Sequence, residues 1–349
     1  MKRFAILLLA TGCLEVADGR ALIDLEVGRG GNAATSVEVA EGLATVRSVA
    51  GSRIVLWANA PTLEITLQTT AMSSLELTIE NVLPDARLEG EGIEALEREV
   101  PTEGRWRVAV NGRSVVRLVT DDRFDREPWR FVVFADVQEA IDTVQDIFTL
   151  IDREAPRFAI IAGDLTEQGT DEEFERFQLE MKQLGVPAYA TLGNHELGTE
   201  EGLYQAYFGR GNSSFVFRGV RFTFIDSASA TLAPLVDTML DDWLDQPEPL
   251  HVVTMHIAPH DPTGTRNGAF ASRAEASRLL RRLSDGGVDV TFYGHVHSYY
   301  AFDNAGIPAF ITGGGGAIPE RLDGIGRHFL TVDVDPRSSA LRTGLVRVD

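Results

Sequence analysis

Two hydrophobic rhythms divide the chain near residue 128. Between residues 20 and 125, apolar and polar positions alternate with period two. The run Leu22-Ile23-Asp24-Leu25-Glu26-Val27 sets the pattern, and residues 36–39, 54–57, 63–67, 75–79, 106–110 and 115–119 repeat it. Gly, Pro and Asn separate the runs, so this half is expected to be a small antiparallel β-sandwich with one face of each strand buried. It contains no His. From Pro128 the pattern changes to continuous apolar runs separated by stretches with apolar residues at helical spacing. Strands are expected at 130–135, 158–162, 187–192, 251–255 and 289–293, and helices at 139–153, 171–184 and 269–284. A hairpin around Gly219 and a mostly β tail after Tyr299 complete it. That alternation predicts an α/β layer architecture with parallel pairing over 128–349, joined to the first half through an acidic linker at 121–128.

The first residues carry a different signal. Lys2 and Arg3 precede a short apolar stretch, 4–10, followed by small residues and then Cys13, the one cysteine of the chain. A basic start, an apolar core and small residues are the parts of a secretory signal. With Cys13 placed immediately after, the segment resembles a bacterial lipobox. That resemblance implies cleavage after residue 12, lipidation of the Cys13 thiol, and a membrane anchor. Leu14 follows in place of the Asp of an inner-membrane retention signal, so the expected location is the outer membrane, facing the periplasm or the cell surface. A single Cys excludes an internal disulfide and a thiolate metal cluster.

At 349 residues the chain is long enough for two domains. Acidic residues outnumber basic ones 52 to 32, a formal net charge of -20, and no basic cluster is present to follow a phosphate backbone. Nucleic acid is therefore not an expected partner.

The chemistry-bearing residues fall just past the ends of the continuous strands, where open α/β sheets place their ligands. They are Asp136 and Gln138, Asp164, Asn194, His256, and His295 with His297. Two Asp, one Asn, one Gln and three His form a nitrogen and oxygen donor set without sulfur. Such a set suits Mn, Fe, Zn, Ni or Co better than Mg or Ca. Seven donors exceed what one compact ion takes, so two divalent transition-metal ions sharing a carboxylate are expected, with Asp164 as the candidate bridge. Two such ions about 3.5–4 Å apart hold a hydroxide between them and clamp a phosphoryl oxygen, which is machinery for hydrolysing a small phosphate ester.

Taken in order, these motifs resemble the calcineurin-like metallophosphoesterase superfamily over residues 130–349. The resemblance implies a two-sheet β-sandwich core flanked by helices. It assigns Asp136, Gln138, Asp164 and His297 to one metal, and Asp164, Asn194, His256 and His295 to the other. His195 matches the position of a non-ligand His that assists the leaving group, and Glu196 would orient a neighbouring ligand. Two departures stand out. The family usually carries His at the place of Gln138, so the first metal is expected to bind less tightly. Purple acid phosphatases, which also join an N-terminal β domain to this fold, need a Tyr where this chain has Glu167, so no iron–tyrosinate colour is expected. The alternative function is a non-catalytic, ligand-binding surface lipoprotein with a degenerate first metal site.

His260, Arg266 and Asn267, in the long loop after His256, are candidate substrate contacts. His251 and His328 are expected to be strand or surface residues. The run Gly313–316 lacks the Lys-Ser/Thr of a phosphate loop and reads as a close-packed or flexible turn.

Overall fold

The computed structural model describes residues 11–121, 123, 125–198, 200–264, 268–321 and 325–348, with the main chain alone for 11–15. The signal segment at 1–10 and the Cys13 side chain lie outside the described residues, as do Arg266 and Asn267.

The N-terminal half is the expected sandwich. One sheet holds β1 (Arg29–Gly31), β2 (Thr35–Val39), β5 (Leu63–Thr69), β7 (Arg87–Glu89) and β10 (Arg113–Val119). The other holds β3 (Ala44–Ala50), β4 (Arg53–Ala58), β6 (Ser73–Glu80), β8 (Ile93–Ala95) and β9 (Glu103–Val110). Alternation sends Val37, Ile65, Leu67, Leu75, Leu77, Trp106 and Val108 inward. One pair departs from the antiparallel expectation: β4 and β6 run parallel, because the intervening β5 lies in the facing sheet.

A second departure lies at the start. Residues 22–27 alternate as a strand would, but Thr11–Glu26 form a helix, α1, that runs through most of them. Tertiary contacts override the local pattern. Ala17, Arg20, Ala21 and Asp24 are buried at three- and four-residue spacing. The two charged members find partners in the second half of the chain. Arg20 donates from Nε and Nη2 to the two carboxylate oxygens of Asp226 at 2.7 and 3.1 Å. Asp24 accepts from the main-chain N–H groups of Gly211 and Asn212 and from the side chains of Asn212 and Gln205, at 2.9–3.1 Å.

The second half is built from two facing sheets. In one, β11 (Trp129–Phe134), β12 (Ala159–Ala162) and β13 (Ala188–Thr191) run parallel, extended by antiparallel β20 (His328–Asp335) and β21 (Ala340–Arg347). In the other, β15 (Val220–Ile225), β16 (Leu250–Met255), β17 (Val290–Tyr293) and β19 (Ile307–Thr312) run parallel between antiparallel edges β14 (Ser213–Phe217) and β18 (Tyr299–Asn304). The strands read as continuous apolar runs because both faces are covered. Inward residues form an aromatic seam between the sheets, with ring centroids 5.1 Å apart for Trp129–Phe217 and 5.2 Å for Phe131–Phe222. Outward residues Val132 and Phe134 meet Ile147, Phe148 and Ile151 of α2 (Gln145–Arg153) and Phe174 and Phe177 of α3 (Asp171–Met181). On the opposite side Val253 and Met255 meet Val236 and Leu240 of α5 (Pro234–Leu244) and Leu279 and Leu283 of α6 (Arg273–Asp285). A short α4 (Leu203–Phe208) lies between β13 and β14. The helix expected from residue 269 starts only at Arg273, since the Ser272 hydroxyl caps it by accepting the Glu275 N–H at 3.3 Å.

Burial raises the Asp24 carboxyl from 3.8 to about 6, against the hydrogen bonds from Asn212 and Gln205. The folded chain therefore keeps a proton on Asp24 to higher pH than the unfolded chain does. Between about pH 4 and 6 the folded state binds more protons, so this stabilising contribution is lost as pH rises. Urea denaturation of wild type and Asp24→Asn at pH 4, 5, 6 and 7 should show the wild type losing stability relative to the variant across that window. A constant difference would contradict the assignment.

Candidate metal centre

Five parallel strands end at one place. The loops after β11 and β12 carry Asp136 with Gln138, and Asp164. That after β13 carries Asn194, His195 and Glu196, and those after β16 and β17 carry His256, His295 and His297. The loops turn sharply. Asp136, Gln138, Asp164 and His295 adopt left-handed φ values of 63°, 47°, 53° and 69°. Such backbone costs about 1–3 kcal/mol per residue and persists where surroundings over-determine it.

Two overlapping donor groups result. Asp164, His256 and His295 form one, and Asp136, Asp164 and His297 the other, with the donor atoms in each lying within 4.8 Å of one another. Asp164 is common to both. His256 Nε2 stands 3.2 Å from Asp164 Oδ1 and 3.1 Å from Asn194 Oδ1, and His295 Nδ1 stands 2.8 Å from the same Asn194 oxygen. His297 Nε2 lies 3.5 Å from Asp136 Oδ1 and 3.3 Å from the Gln138 amide. That amide also approaches Asp164 Oδ2 at 2.8 Å. The seven residues singled out in the sequence are thus brought together.

The supporting contacts orient the donors. His256 Nδ1 faces the Ala162 carbonyl at 2.8 Å, and His297 Nδ1 faces the Ile318 carbonyl at 2.8 Å. Each carbonyl accepts a hydrogen bond from Nδ1–H, which turns Nε2 of both rings inward. Main-chain N–H groups hold the carboxylates: His195 donates to Asp164 Oδ1 at 3.0 Å, and His295 to Asp136 at 3.0 and 3.1 Å. Glu196 clamps two loops, accepting from the N–H of Asp164 and Gly193 on one oxygen, at 2.8 and 2.7 Å. Its other oxygen accepts from the N–H and hydroxyl of Thr166 at 3.0 and 2.9 Å. Burial, reinforced by the Asp164 charge, raises Glu196 to about 7.

Close approach explains two glycines. A Cβ on Gly193 would lie 2.1 Å from Asp164 Oδ1, and one on Gly163 would lie 2.6 Å from His256 Nδ1. The run 313–316 is the close-packed turn of the two readings, since a Cβ on Gly313 would meet Asp136 Oδ2 at 2.9 Å.

The donor set fits divalent cations. Asp136 and Asp164 are 0% and 1% exposed, and buried carboxylates need compensating charge. Burial favours the neutral acid at Asp164, but His256 and the N–H of His195 prevail and hold its carboxyl well below the ordinary range. Burial likewise opposes the His256 imidazolium, yet the Asp164 carboxylate prevails and raises it to about 9. The pocket therefore attracts positive charge, and imidazole, carboxylate and amide donors together suit a borderline metal.

His195 stands beside the donors without joining either group. Its Nε2 is 3.9 Å from Asp164 Oδ2, and its Nδ1 bonds to the Glu167 carbonyl and lies 3.8 Å from the Glu167 carboxylate. Sequence reasoning missed that partnership. Its one signal was position, three residues after Asp164. His260 is exposed and lines a neighbouring cleft. His251 is buried in β16 against Thr223 at 2.8 Å, its value lowered to about 4 by burial and then by Arg221. His328 is buried in β20 against the Gly326 carbonyl. Both are structural strand residues, as expected.

The model of the calcineurin-like phosphoesterase family matches residues 130–299. No curated protein sequence matches the chain. Among solved structures, a purple acid phosphatase from yellow lupin (Lupinus luteus) seeds is similar with a TM-score of 0.53 at 12% identity, over 82% of this chain and 72% of that one. That share exceeds what residues 128–349 could supply, so the shared fold extends into the N-terminal sandwich. GAP50, the anchor in the inner membrane complex of Plasmodium, aligns at 14% identity and a TM-score of 0.48, over 64% and 85% of the two chains.

Replacing Glu196 with Ala would leave the N–H groups of Asp164, Thr166 and Gly193 without their acceptor. Each unsatisfied buried donor costs about 1–3 kcal/mol. Urea denaturation of the metal-free chain should show Glu196→Ala at least about 2 kcal/mol less stable than wild type. A change within error would show that Glu196 does not hold these loops.

Proposed function

We propose that this chain is a metal-dependent phosphoester hydrolase with two divalent ions, Asp136, Gln138, Asp164 and His297 holding one and Asp164, Asn194, His256 and His295 the other. The observation that carries the reading is the single buried carboxylate common to both donor groups. Bound there, such ions supply Lewis acidity for a phosphoryl oxygen and a water of lowered pKa.

The chain's own residues do the rest. Asp164 and Asp136 supply fixed negative charge, pinned by main-chain N–H groups so that the pocket needs little reorganisation during reaction. His195, partly exposed at the mouth, is placed to give a proton to the departing oxygen. Glu167, whose main-chain carbonyl bonds to Nδ1 and whose carboxylate lies 3.8 Å from it, fixes the orientation of the ring. The net charge of -20 and the lack of a basic cluster in the sequence disfavour nucleic acid and favour small phosphate esters as the substrate class.

Gln138 motivates a second reading. Its amide NH2 donates to Asp164 Oδ2 at 2.8 Å and lies 3.3 Å from His297 Nε2; with no ion between them, the flipped amide would set its oxygen against the Asp164 carboxylate. An NH2 donated to Asp164 weakens the first site and favours a protein that binds one metal without catalysis. One equivalent of Mn or Zn bound, with no hydrolysis of aryl phosphates, would favour it.

We further propose that the chain is exported and lipid-anchored at Cys13. Detergent-phase partitioning of the exported protein should be lost in Cys13→Ser; unchanged partitioning would refute the anchor.

Elemental analysis coupled to assays on aryl mono- and diesters tests the main reading. His195→Ala should keep its metals and lose about 10²–10⁴-fold in kcat, and Glu167→Gln should lose less. Unchanged kcat in His195→Ala would remove it from the reaction.

A further inference from the structure

The loop after His256 and helix α6 line an open cleft of about 750 Å³. Its walls include Pro259, Ala269, Phe270 and Leu280, with His260 and Ser277 at the exposed rim. Gly268, next in the chain to Ala269 of the cleft wall, links it to the donors: a Cβ there would stand 3.4 Å from His295 Cδ2. The described residues of this loop are tied to one another. Asp261 accepts from the N–H groups of Thr263, Gly264 and Gly268 at 2.8, 2.9 and 3.2 Å, and a bridge joins Ala258 to Ala269.

Helix α1 supplies the independent observation. Ala17 and Ala21 belong to the same apolar cluster as Phe270 and Ala276, which line the cleft. Val16 lines a second cavity with Leu192, Glu196 and Leu197, the loop that carries His195. Cys13 precedes Val16 by three residues, about 4.5 Å of helix. An anchor at Cys13 would therefore hold the metal centre and the cleft close to the bilayer surface.

From the cleft and this placement we infer that the substrate is a phosphate ester of a membrane-embedded amphiphile. Its alkyl chain lies in the cleft against Phe270 and Leu280, and its phosphate lies over Asp164. This rests on the phosphoesterase and anchor readings above. The reaction adds one water: its oxygen bonds to phosphorus, the ester oxygen leaves phosphorus, and the departing oxygen takes a proton.

The test is a series of alkylphosphonates, from ethyl to decyl, below their micellar concentrations, binding to the Mn-loaded full chain by calorimetry. Each buried methylene should tighten Kd by up to about fourfold, with a negative heat-capacity change that grows with chain length. Ser277→Trp and Ala271→Trp, at exposed positions lining the cleft, should flatten the series. In parallel, wild type should release phosphate or a phosphomonoester from anionic phospholipid in phosphatidylcholine vesicles. A flat binding series with aryl-ester hydrolysis intact overturns the inference and leaves the phosphoesterase reading standing. A steep series with vesicle lipid untouched overturns the membrane source. Failure to hydrolyse any ester defeats the phosphoesterase reading itself.

Discussion

Asp164 is the constraint on which the rest of the second half depends. A carboxylate 1% exposed, on a residue with φ 53°, is costly in both solvation and backbone terms. The fold meets that cost from several directions. β12 delivers the residue, the N–H of His195 holds one oxygen, Glu196 takes its N–H, and Gly193 leaves the space its carboxylate occupies. Every one of those partners comes from a loop at the carboxyl end of a parallel strand. The facing sheets, with their aromatic seam, hold those ends at one place.

The donors were readable in the sequence because buried strands of this kind are continuous apolar runs. A Gly-Asp, Gly-Asn-His or Gly-His-Val-His that follows such a run has to lie in the loop beyond the strand end. Strand existence in the first half was readable by alternation for the same reason. Helix α1 was not, because residues 22–27 alternate with period two while the helix buries Arg20 and Asp24 and leaves Leu22 exposed. Its buried Arg20 and Asp24 are paid for by Asp226, Asn212 and Gln205, close to 200 residues away. The parallel pairing of β4 and β6 depends on which sheet receives β5, which no local pattern encodes. Glu167 escaped notice as a partner because its role lies in a distance to His195 and not in a spacing.

The two halves are more closely joined than a linker would suggest. One continuous apolar cluster runs from Ile65 and Trp106 of the sandwich to Phe131, Phe222 and Val252 of the second half. Asn81 of the sandwich exchanges hydrogen bonds with the main chain of Ala188 at 2.8 and 2.9 Å, at the start of β13, the strand that delivers Asn194 from its other end. The N-terminal half and α1 thus brace the centre from two sides. With a net charge of -20 on the chain, the buried carboxylates sit in a field that favours cations.

The most direct measurement is a metal titration of the metal-free chain, wild type against Asp164→Asn, followed by Mn(II) paramagnetic resonance. A carboxylate shared by two ions predicts two equivalents with an exchange-coupled signal in wild type. In Asp164→Asn it predicts loss of the coupling and of at least one equivalent. Two coupled ions bound to Asp164→Asn, or two uncoupled ions in wild type, would contradict the account.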